Sequence, residues 1–471
     1  MAVPSDALIS TDPYTGKVLG STPWSSSLEV ERALTAAHAA AEGSARAAPA
    51  HERAALLREA ERKLRERRAA FVDLMVREVG KPVTYAEVEV DRALGVLSRA
   101  AGEAERWGGE WLPLDAAPSG RQGLGWILRE PRGTVLGITP FNFPLNLLLH
   151  KLAPALACGC PILIKPSPRA PLTARATVEL FDHAPHGWVG LVMTGDESTL
   201  RLAADPRVAT VSFTGSSDVG WKLRSQLGGK PVVLELGGNA WALVGDDLDP
   251  AALAQAARKI ARGAFGYAGQ SCISVQNVAV QSGIWPRFRE LFHAEVRDLA
   301  FGDPSDRRTV SGPVITAEAA RRIRSTLATA AEKSRVESAL RVGAPSEGAP
   351  DTVLTPTALE YVEESPLSSI HLQEVFAPLV TLRPFSRWET AVEWVNRGAF
   401  GLQAGVFSQR WPTIHRLARD LRVGGVVVGD APTVRFDHQP YGGVKQSGLG
   451  REGIRWAMEE FTEAKFVALG E

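Results

Sequence analysis

Hydrophobic and polar positions divide the chain into a helical first part and a second part in which short apolar runs alternate with helices. Residues 28–107 are rich in Ala, Glu, Arg and Leu. Leu56, Leu57, Ala60 and Leu64 recur at helical spacing, with Arg58, Glu61 and Arg62 on the other face, which predicts helix with one side buried. From Trp107 to Arg132 the pattern breaks into Gly, Pro, Ser and Trp around a strand-like run at Gly125–Leu128. After Gly133 the strands predicted are Thr134–Ile138, Pro161–Ile164, Val208–Phe213, Pro231–Leu236, Val275–Val280 and Gly424–Val428. Strands alternating with helices imply βαβ units, mainly parallel sheets and an α/β fold. Asp249-Pro250 marks a helix start, an N-cap followed by Pro, and Leu253, Ala256, Ala257, Ile260 and Ala264 give that helix one inward face. Pro345–Asp351 reads as a loop.

Composition narrows the class. A chain of 471 residues exceeds a single ordinary domain, so two or more domains are expected. The 53 basic and 53 acidic residues cancel, which argues against recruitment to nucleic acid or to an anionic membrane by the overall field. Three cysteines do not make a disulfide framework and fit a reducing compartment. The most apolar stretch, Leu152–Ile164, holds two prolines and a glycine and reads as a helix end followed by a buried strand, too short to span a bilayer. Residues 1–10 lack the basic and apolar regions of a leader. A soluble cytoplasmic enzyme is the expectation.

Several segments have residue types suited to chemistry. Phe213-Thr214-Gly215-Ser216 follows a strand and opens a helix, where backbone N–H groups and the helix dipole favour a phosphate; a tight turn is the plain alternative. Pro161–Ile164 runs into Lys165-Pro166-Ser167-Pro168-Arg169, at the kind of strand end where open α/β sheets meet nucleotides. Cys158 and Cys160 lack zinc-site spacing and read as core. Cys272, in Gly269-Gln270-Ser271-Cys272, lies between a helix and a strand and is either presented to a substrate or buried as a structural thiol. Glu235 ends an apolar run, where a carboxylate is costly unless solvated or functional; near a thiol it would activate water.

Together with Pro140-Phe141-Asn142-Phe143-Pro144, Glu235-Leu236-Gly237-Gly238, Glu374-Val375-Phe376-Ala377-Pro378 and Gly442-Gly443-Val444-Lys445-Gln446-Ser447-Gly448, these motifs resemble the NAD(P)-dependent aldehyde dehydrogenase superfamily in the right order over nearly the whole chain. Cys272–Gln276 and Pro432–His438 are most similar to its lactaldehyde and phosphonoacetaldehyde dehydrogenase group. The resemblance implies a Rossmann-like cofactor domain (1–112 and 132–235) and a catalytic α/β domain (236–430). It adds a small β oligomerisation element with the C-terminal motif (113–131 and 431–471), and a homodimer or homotetramer.

It also implies roles. Cys272 would be the nucleophile, Asn142 an oxyanion donor and Glu235 the base that activates water, with Lys151 and Glu452 in a proton relay. Thr139, Phe141, Lys165, Ser167, Pro168, Gly215, Ser216, Glu374 and Phe376 would contact the cofactor. Pro168, followed by Arg169, stands where many NAD-specific relatives carry glutamate, so NADP should be tolerated beside NAD. Asn239 and Trp241 depart from the lysine and proline usual after Glu-Leu-Gly-Gly, with no evident chemical loss. Phe143, Leu147, His150, Ser271, Ile273, Arg435 and Tyr441 would line the substrate tunnel; His150 would share a face with Leu147 on a helix started by Pro144. Arg435 would clamp the far end of a short anionic aldehyde, or else pair with Asp437 or another loop acid. No metal, nucleic acid or membrane partner is expected. The rival readings are CoA-acylating chemistry, which Glu235 disfavours, and a non-catalytic protein on the same fold.

Overall fold

The computed structural model describes residues 7–120, 122–333, 336–343, 345, 347–363 and 365–469. The helical first part is five helices, Ser27–Glu42, Ser44–Ala47, Ala50–Glu66, Arg68–Val79 and Val83–Arg106. Residues that tolerate no continuous helix mark its interruptions. Gly43 caps the first helix, Pro49 precedes the third, and Gly80 closes the fourth in a left-handed conformation (φ 63°) just before Pro82. Leu57, Ala60 and Leu64 are buried on the predicted face. A hairpin of Ala7–Thr11 with Val18–Pro23 precedes them.

Two sheets hold the rest. The first has the order Gly448–Leu449, Val232–Glu235, Val208–Thr214, Thr134–Ile138, Ile162–Lys165, Val189–Leu191, parallel except for the first strand. Chain order runs outward in opposite directions from Thr134–Ile138, so the strand ends beside it form a topological switch point, where such sheets bind ligands. Thr139, Lys165 and Gly215 all sit there. The second sheet has the order Val336–Arg341, Thr357–Tyr361, Leu379–Phe385, Val275–Gln281, Ala240–Val244, Gln403–Phe407, Gly425–Val428, and only its first strand is antiparallel. The six strands predicted after Gly133 form to within one residue at each end. The pattern missed seven strands of these two sheets; Ala240–Val244, for example, is buried at every position and shows no alternation. Within the loop predicted at Pro345–Asp351, Ser346 lies outside the described residues, and the others carry neither helix nor strand.

A third, antiparallel sheet joins Thr462–Ala468, Leu124–Pro131 and Trp111–Pro113. The C-terminal segment is shared among bodies. Gly448–Leu449 extends the first sheet, while helix Ile454–Phe461 buries Ile454, Ala457, Met458 and Phe461 in the core formed by helices Val83–Arg106 and Asn146–Ala157. Among the described residues no helix is long and apolar enough to cross a membrane.

Candidate active site

Cys272 is placed by a tightly built turn. Helix Pro250–Phe265, capped by Asp249, runs into Gly266–Gly269, where Tyr267 and Ala268 adopt left-handed backbone (φ 51° and 55°). Such strain persists only where surroundings over-determine it. Here the Tyr267 hydroxyl donates to the Val79 carbonyl at 3.1 Å, and its ring meets Phe143 edge-on. The buried Lys81 ammonium lies over both rings, 3.9 Å from the centre of Phe143 and 4.7 Å from that of Tyr267, and pairs with Glu89. Gly238 lets the Glu235 strand and the Cys272 turn approach: a Cβ there would lie 2.0 Å from the Cys272 carbonyl oxygen. The glycines after Glu235 therefore serve close packing between two sheets.

A cavity of about 350 Å³ opens on Cys272. Of the seven residues predicted to line a tunnel, Phe143, Leu147, Ser271, Ile273, Arg435 and Tyr441 line it. His150 does not. It is fully buried behind the cavity with Nε2 2.8 Å from Asp437 Oδ1, and burial, then the Arg435 charge, keep its imidazole below the usual range. Its helix is Asn146–Ala157 and starts two residues after Pro144, because Glu89 Oε1 accepts the Leu145 and Asn146 N–H groups at 3.0 Å and supplies a cap from a distant helix.

Asn142 also lines the cavity and donates from Nδ2 to the Gln270 carbonyl at 3.0 Å, which holds its amide beside the Cys272 turn. The Cys272 sulfur is 3.3 Å from the Tyr441 hydroxyl. Burial pushes the thiol up to about 12, against the hydrogen bond with Tyr441, so it is neutral at ordinary pH. Glu235 is buried at its strand end, and among the described residues neither of its carboxylate oxygens has a hydrogen-bond partner. Burial and the nearby Glu452 charge raise it well above the carboxylate range. This is a carboxyl held ready to take a proton.

Behind Glu235 lies a buried charge cluster. Lys151 Nζ donates to Glu452 at 2.6 Å and to Ser212 at 3.0 Å, and Arg435 reaches the other oxygen of Glu452 at 3.3 Å. Burial opposes ionisation of Glu452, yet the Lys151 and Arg435 charges hold it down at about 2. Arg435 also stacks on Tyr441, 3.7 Å from its ring centre. Its acid partner is thus Glu452. Asp437 pairs instead with Arg92 through two hydrogen bonds of 2.6 and 3.1 Å.

At the strand ends of the first sheet, the Thr139 N–H donates to the Lys165 carbonyl at 3.0 Å. The Lys165 ammonium makes no hydrogen bond or ion pair among the described residues, and burial lowers it against the pull of the Asp196 charge. Ser167 Oγ accepts the Arg169 N–H at 3.2 Å, and Pro168 and Arg169 are exposed. The Gly215 N–H donates to the Glu235 carbonyl at 3.1 Å. Ser216 stands at the N-terminus of helix Ser217–Ser225 without a side-chain cap, so first-turn N–H groups remain free for an anion. Glu374 Oε1 accepts the Gly238 N–H at 3.0 Å, and burial raises its carboxyl to about 7. Phe376, left-handed at φ 55°, meets Phe141 edge-on at 6.2 Å. An unpaired lysine beside an uncapped helix start fits the phosphates and ribose of a dinucleotide.

Sequence reasoning missed Arg92, Asp437 and Glu89 as organisers of the cavity wall. Arg92 and Asp437 are 345 positions apart, and no local pattern signals such a pair. Among the described residues no group of three or more His, Cys, Asp or Glu is placed to hold a metal.

The sulfoacetaldehyde dehydrogenase of Neptuniibacter caesariensis is 36% identical over 466 residues, covering 97% of this chain and 98% of the relative. The lactaldehyde dehydrogenase of Methanococcus maripaludis is 35% identical over 403 residues, covering 83% and 82%. Among solved structures, a glyceraldehyde-3-phosphate dehydrogenase from Methanocaldococcus jannaschii complexed with NADP superposes with a TM-score of 0.91 at 31% identity, covering 100% of both chains. The model of the aldehyde dehydrogenase family matches residues 3–467, and this chain belongs to that family.

Proposed function

We propose that this enzyme oxidises a short polar or anionic aldehyde to its carboxylic acid with NAD or NADP, through a thioester on Cys272 that Glu235 and water resolve. The observation that carries it is the meeting of a thiol on a small cavity with an unpartnered, proton-avid carboxyl whose charge acts on that thiol. The neutral thiol must lose its proton to attack, and that proton leaves to solvent through the cavity that opens on Cys272. Sulfur then bonds to the carbonyl carbon. The oxyanion is held by the Cys272 backbone N–H and by the Asn142 amide, one of whose hydrogens is already fixed on Gln270. Bound NAD(P) supplies the hydride acceptor, and the thioester remains on Cys272. Glu235 takes a proton from water, whose oxygen attacks the acyl carbon; the acid leaves, and Glu235 returns that proton to the departing thiolate, which restores the thiol. Lys151 and Glu452 act behind Glu235 as a proton relay.

Lys165, Gly215 and Ser216 serve the adenosine and phosphate parts of the cofactor, Thr139, Phe141, Glu374 and Phe376 the nicotinamide side. Ser167 and Pro168 shape the turn, and exposed Arg169, which follows a proline rather than a glutamate, admits the 2′-phosphate of NADP. Relatives named for sulfonated and small hydroxylated aldehydes, and the small cavity, support the substrate class. The cofactor domain (1–112, 132–235) and catalytic domain (236–430) divide the chain, with 113–131 and 431–471 forming the oligomerisation element and C-terminal motif. The third sheet leaves Trp111 64% and Phe466 55% exposed, which supports a homodimer or homotetramer built on it. Three free cysteines suit a reducing cytoplasm.

A panel of aldehydes assayed with NAD and NADP separately, with and without CoA, tests the reading. It predicts nicotinamide reduction and a free acid without CoA. A thioester formed only with CoA, or no reduction across the panel, contradicts it.

A further inference from the structure

The cavity wall carries four cations: Arg92, Lys259, Arg262 and Arg435. Three have their charge answered by protein. Arg92 pairs bidentately with Asp437. Lys259 donates to Asp430 at 2.8 Å and to the Gly429 carbonyl at 2.9 Å. Arg435 is paired with Glu452 and stacked on Tyr441. Arg262 has no ion pair or hydrogen bond to its guanidinium among the described residues. The two acids on the same wall, Glu89 and Asp430, are already taken by Lys81 and Lys259.

Arg262 lies on helix Pro250–Phe265, one turn after Lys259 and beside Gly263, which also lines the cavity. It is exposed whereas Cys272 is half-buried, so the guanidinium stands on the solvent side of the cavity, with Tyr85 as a neighbour. A carbonyl carbon at Cys272 and an anionic group two or three bonds away would occupy the two parts of one short cavity. A free guanidinium offers paired N–H donors to a sulfonate, carboxylate or phosphonate, and it gives up no protein partner to do so.

We infer that Arg262 is the residue that selects aldehydes with an anionic far end, by direct hydrogen bonding to that group. The inference rests on the proposed oxidation of short anionic aldehydes and assigns its specificity to a residue outside the family motifs quoted above. Arg435, engaged by Glu452, instead holds the charge cluster behind the thiol.

Arg262→Gln and Arg262→Lys, assayed with sulfoacetaldehyde and with propanal, test it. For sulfoacetaldehyde, Arg262→Gln raises KM by about ten- to a hundredfold with kcat nearly unchanged, and Arg262→Lys recovers part of the loss. Propanal kinetics stay within about twofold, which shows the fold and the chemistry intact. Ethanesulfonate, as a competitor of propanal, gives an independent readout: its inhibition constant rises in parallel in Arg262→Gln. Equal effects on both aldehydes, or an inhibition constant unmoved by Arg262→Gln, overturn the assignment. A wild-type enzyme that turns over propanal better than sulfoacetaldehyde contradicts the substrate-class reading instead, while the inhibition constant still decides the role of Arg262.

Discussion

The hydroxyl of Tyr441 lies 3.3 Å from the sulfur of Cys272, and the face of the same ring carries the Arg435 guanidinium at 3.7 Å. The C-terminal loop thereby sets the electrostatics of a thiol that burial alone would leave inert. Asp437 anchors this loop through Arg92, His150 and Asn146, so helices far apart in sequence fix the position of the nucleophile.

Tyr441→Phe removes a hydrogen bond that favours the thiolate. Alkylation of Cys272 by iodoacetamide at pH 8 should slow by about two- to tenfold. In the wild type, with the thiol pushed up to about 12, the rate should keep climbing with pH through 9. A plateau below pH 9 would show a thiol much more acidic than this environment allows.

Lys151 and Glu452 are buried and 2.6 Å apart, so breaking the pair leaves a charge in the interior. Lys151→Met should cost about 3–5 kcal/mol in denaturant unfolding, and Lys151→Met/Glu452→Leu should cost less than the sum of the single changes. Strict additivity would mean that the two groups are not coupled.

Asp437 supplies the pH dependence. Burial disfavours its charge, but hydrogen bonds from His150 and Arg92 hold the carboxyl below its ordinary 3.8. A depressed acid stabilises the fold fully above its unfolded-state value and loses that contribution as pH falls through the folded one. The stability gap between wild type and Asp437→Asn, followed by denaturant midpoints, should be complete above about pH 5 and shrink below about pH 4. A gap that widens on acidification would contradict the pairing.

The sequence made much of this readable, and unevenly. Strand ends at Lys165, Thr214 and Glu235 were visible because turn residues follow apolar runs directly. The motif residues Asn142 and Cys272 come together on one cavity. What stayed hidden was long-range. Helix Asn146–Ala157 takes its cap from Glu89, so Pro144 misled about its start and His150 about its facing. Arg435 reads in the sequence either as a clamp for substrate or as the partner of Asp437 or another loop acid, and its pairing with Glu452 depends on a fold that brings both together. Arg262 reads as an ordinary surface residue on an amphipathic helix until its neighbours are seen to be paired.

The division of labour between Cys272 and Glu235 is the central claim, and the stoichiometry of cofactor reduction in Glu235→Gln tests it most directly. On rapid mixing with aldehyde and NAD(P), the variant should reduce about one cofactor per active site and then slow by about a hundredfold or more, with the acyl mass on the Cys272 peptide. Absence of that burst, or multiple turnovers at the wild-type rate with no acyl group on Cys272, would contradict the account.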